Sequence, residues 1–162
     1  MRLTNLNFGV ISGRLSPVID NKIQAFPFRT WKNEFKIANE LGLQCIEWVY
    51  EHQNKSHNPI CSDEGIAILN NLSAEHNISI NSLVADNFLE DPLFNNTSSL
   101  IEESVSLLIY LINQCSKAKI KIIELPLMGN NSIHRKKDRD DFIKKMIQIH
   151  GLPDWKMFSQ KR

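Results

Sequence analysis

An arginine follows the first apolar run of the chain, in the tripeptide Ser12-Gly13-Arg14. A glycine lets the backbone approach a ligand closely, and a guanidinium pairs bidentately with a phosphate or a carboxylate. Arg14 is therefore the best single candidate for an anion contact. The alternative is that Arg14 pairs with a carboxylate of the protein and holds the long loop that follows.

A glutamate interrupts the apolar segment Cys45-Ile46-Glu47-Trp48-Val49. Burying an unpaired carboxylate costs free energy, so Glu47 must face a polar space or find a partner. Pairing within the fold, for instance with Arg14, is the alternative to ligand binding. Successive side chains of a strand point to opposite faces, and we therefore expect Trp48 in the core.

Two more acidic residues lie at or near the ends of apolar runs. Asp86 ends the segment Leu-Val-Ala-Asp-Asn, and Glu124 stands two residues before Pro126. Asp86 is also a common type of loop-starting residue, and Glu124 has pairing within the fold as its alternative role. The substrate-binding candidates are therefore Arg14, Glu47, Asp86 and Glu124, and no residue is assigned as catalytic.

His52, His57 and Cys61 share one loop, but their spacing matches no zinc motif, so no metal ligand is assigned. The sequence contains no GxxxxGK[ST], GxGxxG or HExxH motif. The basic residues 134–137 are interleaved with acids, which indicates a solvated face rather than a nucleic-acid patch.

These candidates must be positioned by the elements around them. Apolar runs at 7–11, 45–49, 78–85 and 120–125 alternate with helical patterns near 31–41, after Ser62, and near 97–116 and 139–149. Such alternation is typical of parallel βαβ units. We predict an α/β fold, a partial (β/α)₈ barrel of about four βα units over residues 1–150, with a nonperiodic tail at 151–162. An open flavodoxin-like sheet is the alternative. In such barrels functional side chains follow the carboxyl ends of the strands.

Composition narrows the classes of function. The 162 residues are 42% hydrophobic and 23% charged, which is typical of one folded domain. Lys and Arg total 19 against 18 for Asp and Glu, so we expect no nucleic-acid or membrane partner.

No segment approaches the roughly 20 apolar residues that span a bilayer, and no secretory signal is evident. Three widely spaced cysteines indicate reduced thiols and a cytoplasmic protein.

Taken in order, the strand-end segments resemble the sugar-phosphate isomerase/epimerase family of xylose-isomerase-like TIM barrels, in the AP endonuclease family 2 superfamily. The resemblance covers about residues 8 to 145 and only the amino-terminal half of such a barrel. The matching segments are GVISGRLSP at 9–17, IQAFP at 23–27 with Trp31, IEW at 46–48, NP at 58–59, SDEG at 62–65, NS at 81–82, AD at 85–86, DPLF at 91–94, LP at 125–126 and SI at 132–133.

This resemblance implies a divalent metal, Mn²⁺ or Mg²⁺, a small sugar or sugar phosphate, and carboxylates that move protons next to a carbonyl. It places Arg14, Glu47 and Asp86 at positions lining the pocket, whereas Gly129 stands where an acid is frequent. The family's metal ligands follow strand five and later strands, which this chain lacks. The resemblance therefore implies that the metal ligands are absent and that the isolated chain is inactive.

Three functional hypotheses follow. The first is a sugar or sugar-phosphate isomerase/epimerase-like protein with a truncated barrel. The second is a noncatalytic half-barrel that binds sugar phosphates or associates with itself, because unpaired edge strands invite pairing and two copies could complete the sheet as a homodimer. The third is an enzyme active as a homodimer, with Glu47, Asp86 and Glu124 of both copies around a metal.

Overall fold

The computed structural model describes residues 7–22 and 24–151 of the chain. Within these residues four strands form one parallel sheet in the order β1-β2-β3-β4. The strands are Gly9–Ile11 (β1), Cys45–Tyr50 (β2), Ser82–Ala85 (β3) and Ile122–Glu124 (β4). The helices that follow them are Trp31–Glu40 (α1), Asp63–His76 (α2), Ser98–Lys117 (α3) and Lys136–His150 (α4).

The predicted α/β class with four βα units is confirmed, and the arrangement is consistent with part of a (β/α)₈ barrel. Residues 152–162, which make up most of the predicted tail, lie outside the described residues. No helix in the described part of the chain is both long and apolar enough to cross a membrane.

The register of the sheet separates a helix-covered face from a polar face. Trp48 is paired with Leu83, and both side chains are fully buried. On the opposite face Ile11 is paired with Glu47, and Val84 with Glu124. Glu47 is half-buried and Glu124 is exposed, so the polar face is only partly covered.

An aromatic cluster forms the core beneath the helix-covered face. The Trp48 ring lies 5.5 Å from Phe26 and 5.7 Å from Trp31, measured between ring centroids. Trp48 Nε1 donates a hydrogen bond to Asn58 Oδ1 at 2.9 Å, so its polar atom is satisfied inside the core. The expected burial of Trp48 is confirmed.

Three strands are shorter than expected, and the run at 7–11 forms a strand only over β1. The run at 78–85 forms a strand only over β3, because the Ile78 amide donates to the Ser73 carbonyl and Ser79 makes one isolated bridge to Cys45. Of the run at 120–125, only Ile122–Glu124 (β4) forms a strand. Apolar composition located these strands but could not show where the ladder begins, and β4 is exposed at Ile122 and Glu124.

Local capping sets the helix starts. Ser62 caps α2 as expected, with its hydroxyl accepting from the Gly65 amide at 3.0 Å. Helix α4 begins at Lys136, three residues before its predicted start. There the carboxylate of Asp138 accepts from the Arg135 amide at 3.0 Å and from the Arg135 guanidinium, which closes the first turn.

The three cysteines are all unpaired. Cys115 is fully buried, whereas Cys45 and Cys61 are half-buried. Burial raises the pKa of all three thiols, which favours the protonated and less nucleophilic form.

Candidate functional site

A polar cavity of about 490 Å³ lies where β2 and β3 end at the carboxyl edge of the sheet. Loops after the carboxyl ends of parallel strands are the usual location of functional side chains in this architecture. The described residues that line the cavity are Lys22, Gln24, Glu51, His52, Gln53, Asp86, Asn87, Leu89 and Glu90.

Glu51 reaches this cavity from the residue directly after β2. Its Oε1 accepts a hydrogen bond from the Phe26 amide at 2.7 Å, which ties the carboxylate to the loop after β1. The sequence analysis did not select Glu51. The signal was its spacing of four from Glu47, since every second residue of a strand faces the same side.

Asp86 enters the cavity from the first residue of the 3₁₀ turn Asp86–Leu89, which follows β3. Its Oδ2 accepts a hydrogen bond from Gln24 Nε2 at 2.5 Å. Burial raises the pKa of Asp86, and the nearby charges of Glu51 and Glu47 raise it further, while the bond from Gln24 acts in the opposite direction. Asp86 therefore exchanges its proton at a higher pH than an exposed aspartate.

Glu47 lies on the polar face of the sheet, within β2 and four residues before Glu51. Its Oε1 accepts a hydrogen bond from the Ser82 hydroxyl at 2.7 Å across the β2–β3 ladder. Glu47 and Ser82 border a smaller cavity of about 240 Å³. The structure therefore brings Glu47 and Asp86 into electrostatic contact, although the two line different spaces.

Arg14 and Glu124 do not appear among the described residues that line the 490 Å³ cavity. Glu124 is exposed on β4, beside Val84 in the register. Arg14 is exposed in the loop after β1, where its amide donates to the Ile11 carbonyl at 3.2 Å. A binding role for either residue stays a prediction.

The loop that carries Arg14 is held by a buried acid. Glu34, on α1, is 1% exposed and accepts from the amides of Gly13 and Leu15. Gly13 has a φ of +97°, and a Cβ there would come within 2.5 Å of the Ala25 carbonyl oxygen. Glycine is therefore required at this turn.

The histidines of the loop after β2 separate in space. His52 is hydrogen-bonded to Asp91, whereas the His57 ring packs against Phe28 at 5.6 Å. In residues 7–22 and 24–151 no three His, Cys, Asp or Glu side chains converge as metal ligands do. The side chains described here do not fit the divalent ion that the resemblance implies, and no chemical step is assigned to a metal.

Asn87 is the most unusual residue of the cavity. It is 1% exposed, and neither its Oδ1 nor its Nδ2 has a hydrogen-bond partner in the described part of the chain. Leaving a buried amide unpaired is costly, and nearly all such groups in folded proteins are satisfied. Residue type alone could not predict this unpaired amide, because Asn after Asp is an ordinary way to begin a loop.

No known family model and no curated protein matches this chain. The family resemblance therefore depends on the sequence segments quoted above, and the function is inferred from them and from the site.

Proposed function

We propose that this chain is a sugar or sugar-phosphate isomerase/epimerase-like protein that binds a small carbohydrate in the 490 Å³ cavity. The observation that carries the proposal is the environment of Asp86. This carboxyl group lies at the carboxyl end of a parallel strand, in a polar cavity that Glu51 also lines. The pKa of Asp86 is raised. Perturbed carboxyl groups in such clefts are typical of sites that move protons.

The chemistry follows from what an isomerase or epimerase must do. A proton leaves a carbon next to a carbonyl and returns to a different atom or face, so the site needs a carboxyl group that both accepts and releases a proton. Asp86 would perform that exchange, and Gln24 would hold its carboxylate in place. Burial, with a smaller contribution from the charges of Glu51 and Glu47, keeps the proton affinity of Asp86 high.

Two candidate residues lie outside the lining of the cavity. Arg14, in the loop after β1, and Glu124, beside β3, would contact only a part of the ligand that extends beyond the cavity. The divalent ion, Mn²⁺ or Mg²⁺, would require ligands that the described residues do not supply. We therefore expect the isolated chain to bind carbohydrate without turning it over.

The experiment is a comparison of ligand binding by the full chain and by Asp86→Asn. The amide keeps the size of the side chain and cannot take up a proton, so we expect affinity for a ketose to fall by about tenfold, as for a lost charged hydrogen bond. Asp63→Asn is the matched control, because Asp63 is exposed on α2 and pairs with Lys117. Equal binding by all three proteins would count against the site.

A second candidate function is that of a noncatalytic half-barrel that associates with itself. It is favoured by an apolar groove of about 600 Å³ beside β4, between α3 and α4. Ile122, Ile143 and Ile147 line it and are 58%, 46% and 67% exposed. The Ile122 amide donates to the Asn81 carbonyl, on the side of β4 that faces β3. Because successive amides of a strand point to opposite sides, the Ile123 amide points away from β3, toward the unpaired edge of the sheet.

A second copy suits this edge, because β1 is the opposite edge of the same parallel sheet and two sets of four strands make eight. Such a homodimer is also compatible with carbohydrate binding, since it would cover the polar face of each copy. We further propose a cytoplasmic location, in keeping with three unpaired cysteines.

A further inference from the structure

We infer that the ligand of the 490 Å³ cavity is a neutral polyhydroxy compound, an unphosphorylated sugar or alditol, rather than a sugar phosphate. This inference rests on the proposed function and narrows its substrate class. Two independent features of the cavity support it, the balance of its charges and the unpaired amide of Asn87.

The charges that line the cavity disfavour a phosphate. Glu51, Asp86 and Glu90 contribute carboxyl groups, and among the described lining residues Lys22 is the one lysine or arginine. The Lys22 ammonium is already hydrogen-bonded to Gln53. A phosphate dianion placed here would add negative charge beside Asp86, whose pKa is raised by burial and further by the nearby charge of Glu51.

Arg14 does not offset the excess of carboxyl groups over basic side chains in the cavity. Arginine is the side chain best suited to bidentate phosphate binding, but Arg14 is not one of the described residues that line the cavity. A neutral ligand avoids the electrostatic cost, because its hydroxyl groups can donate to Glu51 and Asp86 without introducing charge.

The amide of Asn87 matches a hydroxyl group better than a phosphate. Asn87 offers two donors on Nδ2 and an acceptor on Oδ1, all unpaired in the described part of the chain. A hydroxyl group both donates and accepts, so one hydroxyl satisfies either end of the amide. A phosphate dianion placed against this amide could accept from Nδ2 but could not donate to Oδ1, so the hydroxyl groups are the part of a ligand that suits Asn87.

Binding of sorbitol and of sorbitol 6-phosphate to the full chain, measured by calorimetry at neutral pH, tests the inference. The two probes share a carbon skeleton and differ in one phosphate. We expect sorbitol to bind about tenfold more tightly than its phosphate, in line with the cost of like-charge contacts. In the wild-type protein, the Asn87 side-chain amide resonances should shift on addition of sorbitol.

Asn87→Leu provides the second arm. Leucine has a similar size and no unpaired amide, so sorbitol binding should fall by about tenfold while the thermal midpoint stays level or rises. Asn33→Leu, at an exposed position on α1, is the control and should keep binding.

The outcomes separate the inference from the proposed function. Tighter binding of the phosphate would overturn the neutral-ligand inference and leave the carbohydrate site standing. If neither sorbitol nor sorbitol 6-phosphate binds, both the inference and the proposed function are overturned. Unchanged Asn87 resonances on sorbitol binding, or a thermal midpoint lowered by Asn87→Leu, would remove Asn87 from the site.

Discussion

Both oxygens of the Glu34 carboxylate accept hydrogen bonds from the Gly13 amide, at 2.9 and 3.0 Å. The Leu15 amide donates to the same carboxylate at 3.1 Å. Arg14 lies between these two residues, so one buried acid on α1 determines the backbone that carries the candidate anion contact. Burial raises the pKa of Glu34, and the bonds from Gly13, Ser16 and Leu15 oppose that rise.

Replacing Glu34 with alanine should destabilise the fold. The amides of Gly13 and Leu15 would lose their acceptor in a partly buried loop, and we expect a loss of about 2 to 3 kcal/mol in the free energy of unfolding, measured by urea titration. Glu34→Gln should cost less, because glutamine keeps an acceptor and does not bury a charge. Glu40→Ala, at an exposed position on the same helix, is the control. Equal losses for all three variants would contradict this assignment.

Asp86 should make the fold less stable as the pH rises. Its pKa lies above the ordinary value of 3.8 in the folded protein, so the folded state keeps a proton that the unfolded state has released. The folded state is therefore favoured at low pH, and this advantage is lost as the pH rises from 3.8 through the folded-state pKa.

Asp86→Asn should remove that penalty. We expect the thermal midpoint of the variant to exceed that of the wild type by a few degrees near pH 7 and by less near pH 4, as measured by circular dichroism. A difference that is constant with pH, or larger near pH 4, would show that Asp86 does not carry the raised pKa.

Asn58 should be essential to the aromatic core. Its Oδ1 accepts from Trp48 Nε1 at 2.9 Å, and its Nδ2 donates to the Val49 carbonyl at 2.9 Å. Asn58→Ala would leave both groups buried and unpaired, and we expect a loss of about 2 to 4 kcal/mol in the free energy of unfolding. Asn39→Ala removes an exposed bond to the His76 carbonyl and should change it by under about 0.5 kcal/mol. Similar losses for the two variants would argue against this role.

Self-association through the groove beside β4 predicts a dimer in solution. Light scattering coupled to size-exclusion chromatography should give twice the chain mass of 18.7 kDa. Ile143→Lys should shift the protein to a monomer, because a charge in the groove would have to be desolvated. Leu100→Lys alters a residue of similar exposure on α3 outside the groove and should leave the dimer intact. A monomeric wild type would rule out this association.

The repeating units of the fold could be predicted from the sequence because each apolar run is followed by a segment of helical period. The alternation of side chains along β2 correctly located Trp48 in the core and Glu47 on the opposite face of the sheet. The lengths of the strands were harder to predict from the sequence. At Ile78 the backbone amide bonds to the end of α2 instead of a neighbouring strand, and hydrophobicity does not distinguish the two.

The contents of the cavity were the hardest feature to predict. Glu51 lies beyond the apolar run, and Gln24 belongs to a long loop whose contact with Asp86 spans 62 residues. Asn87 is distinguished by a side-chain amide that has no hydrogen-bond partner among residues 7–22 and 24–151, which only the packing of neighbouring turns reveals. Such properties depend on distant segments meeting, and residue types near one position do not encode them.

The alternation of Glu47 and Trp48 along β2 also bears on how the sheet assembles. A slip of β2 by one residue against its neighbours would turn the large indole of Trp48 toward the polar side and drive a carboxylate into the aromatic core. Both errors are costly, so these two neighbouring side chains disfavour any register of β2 other than the one observed. One acid on the polar face thus also helps to specify how the strands pair.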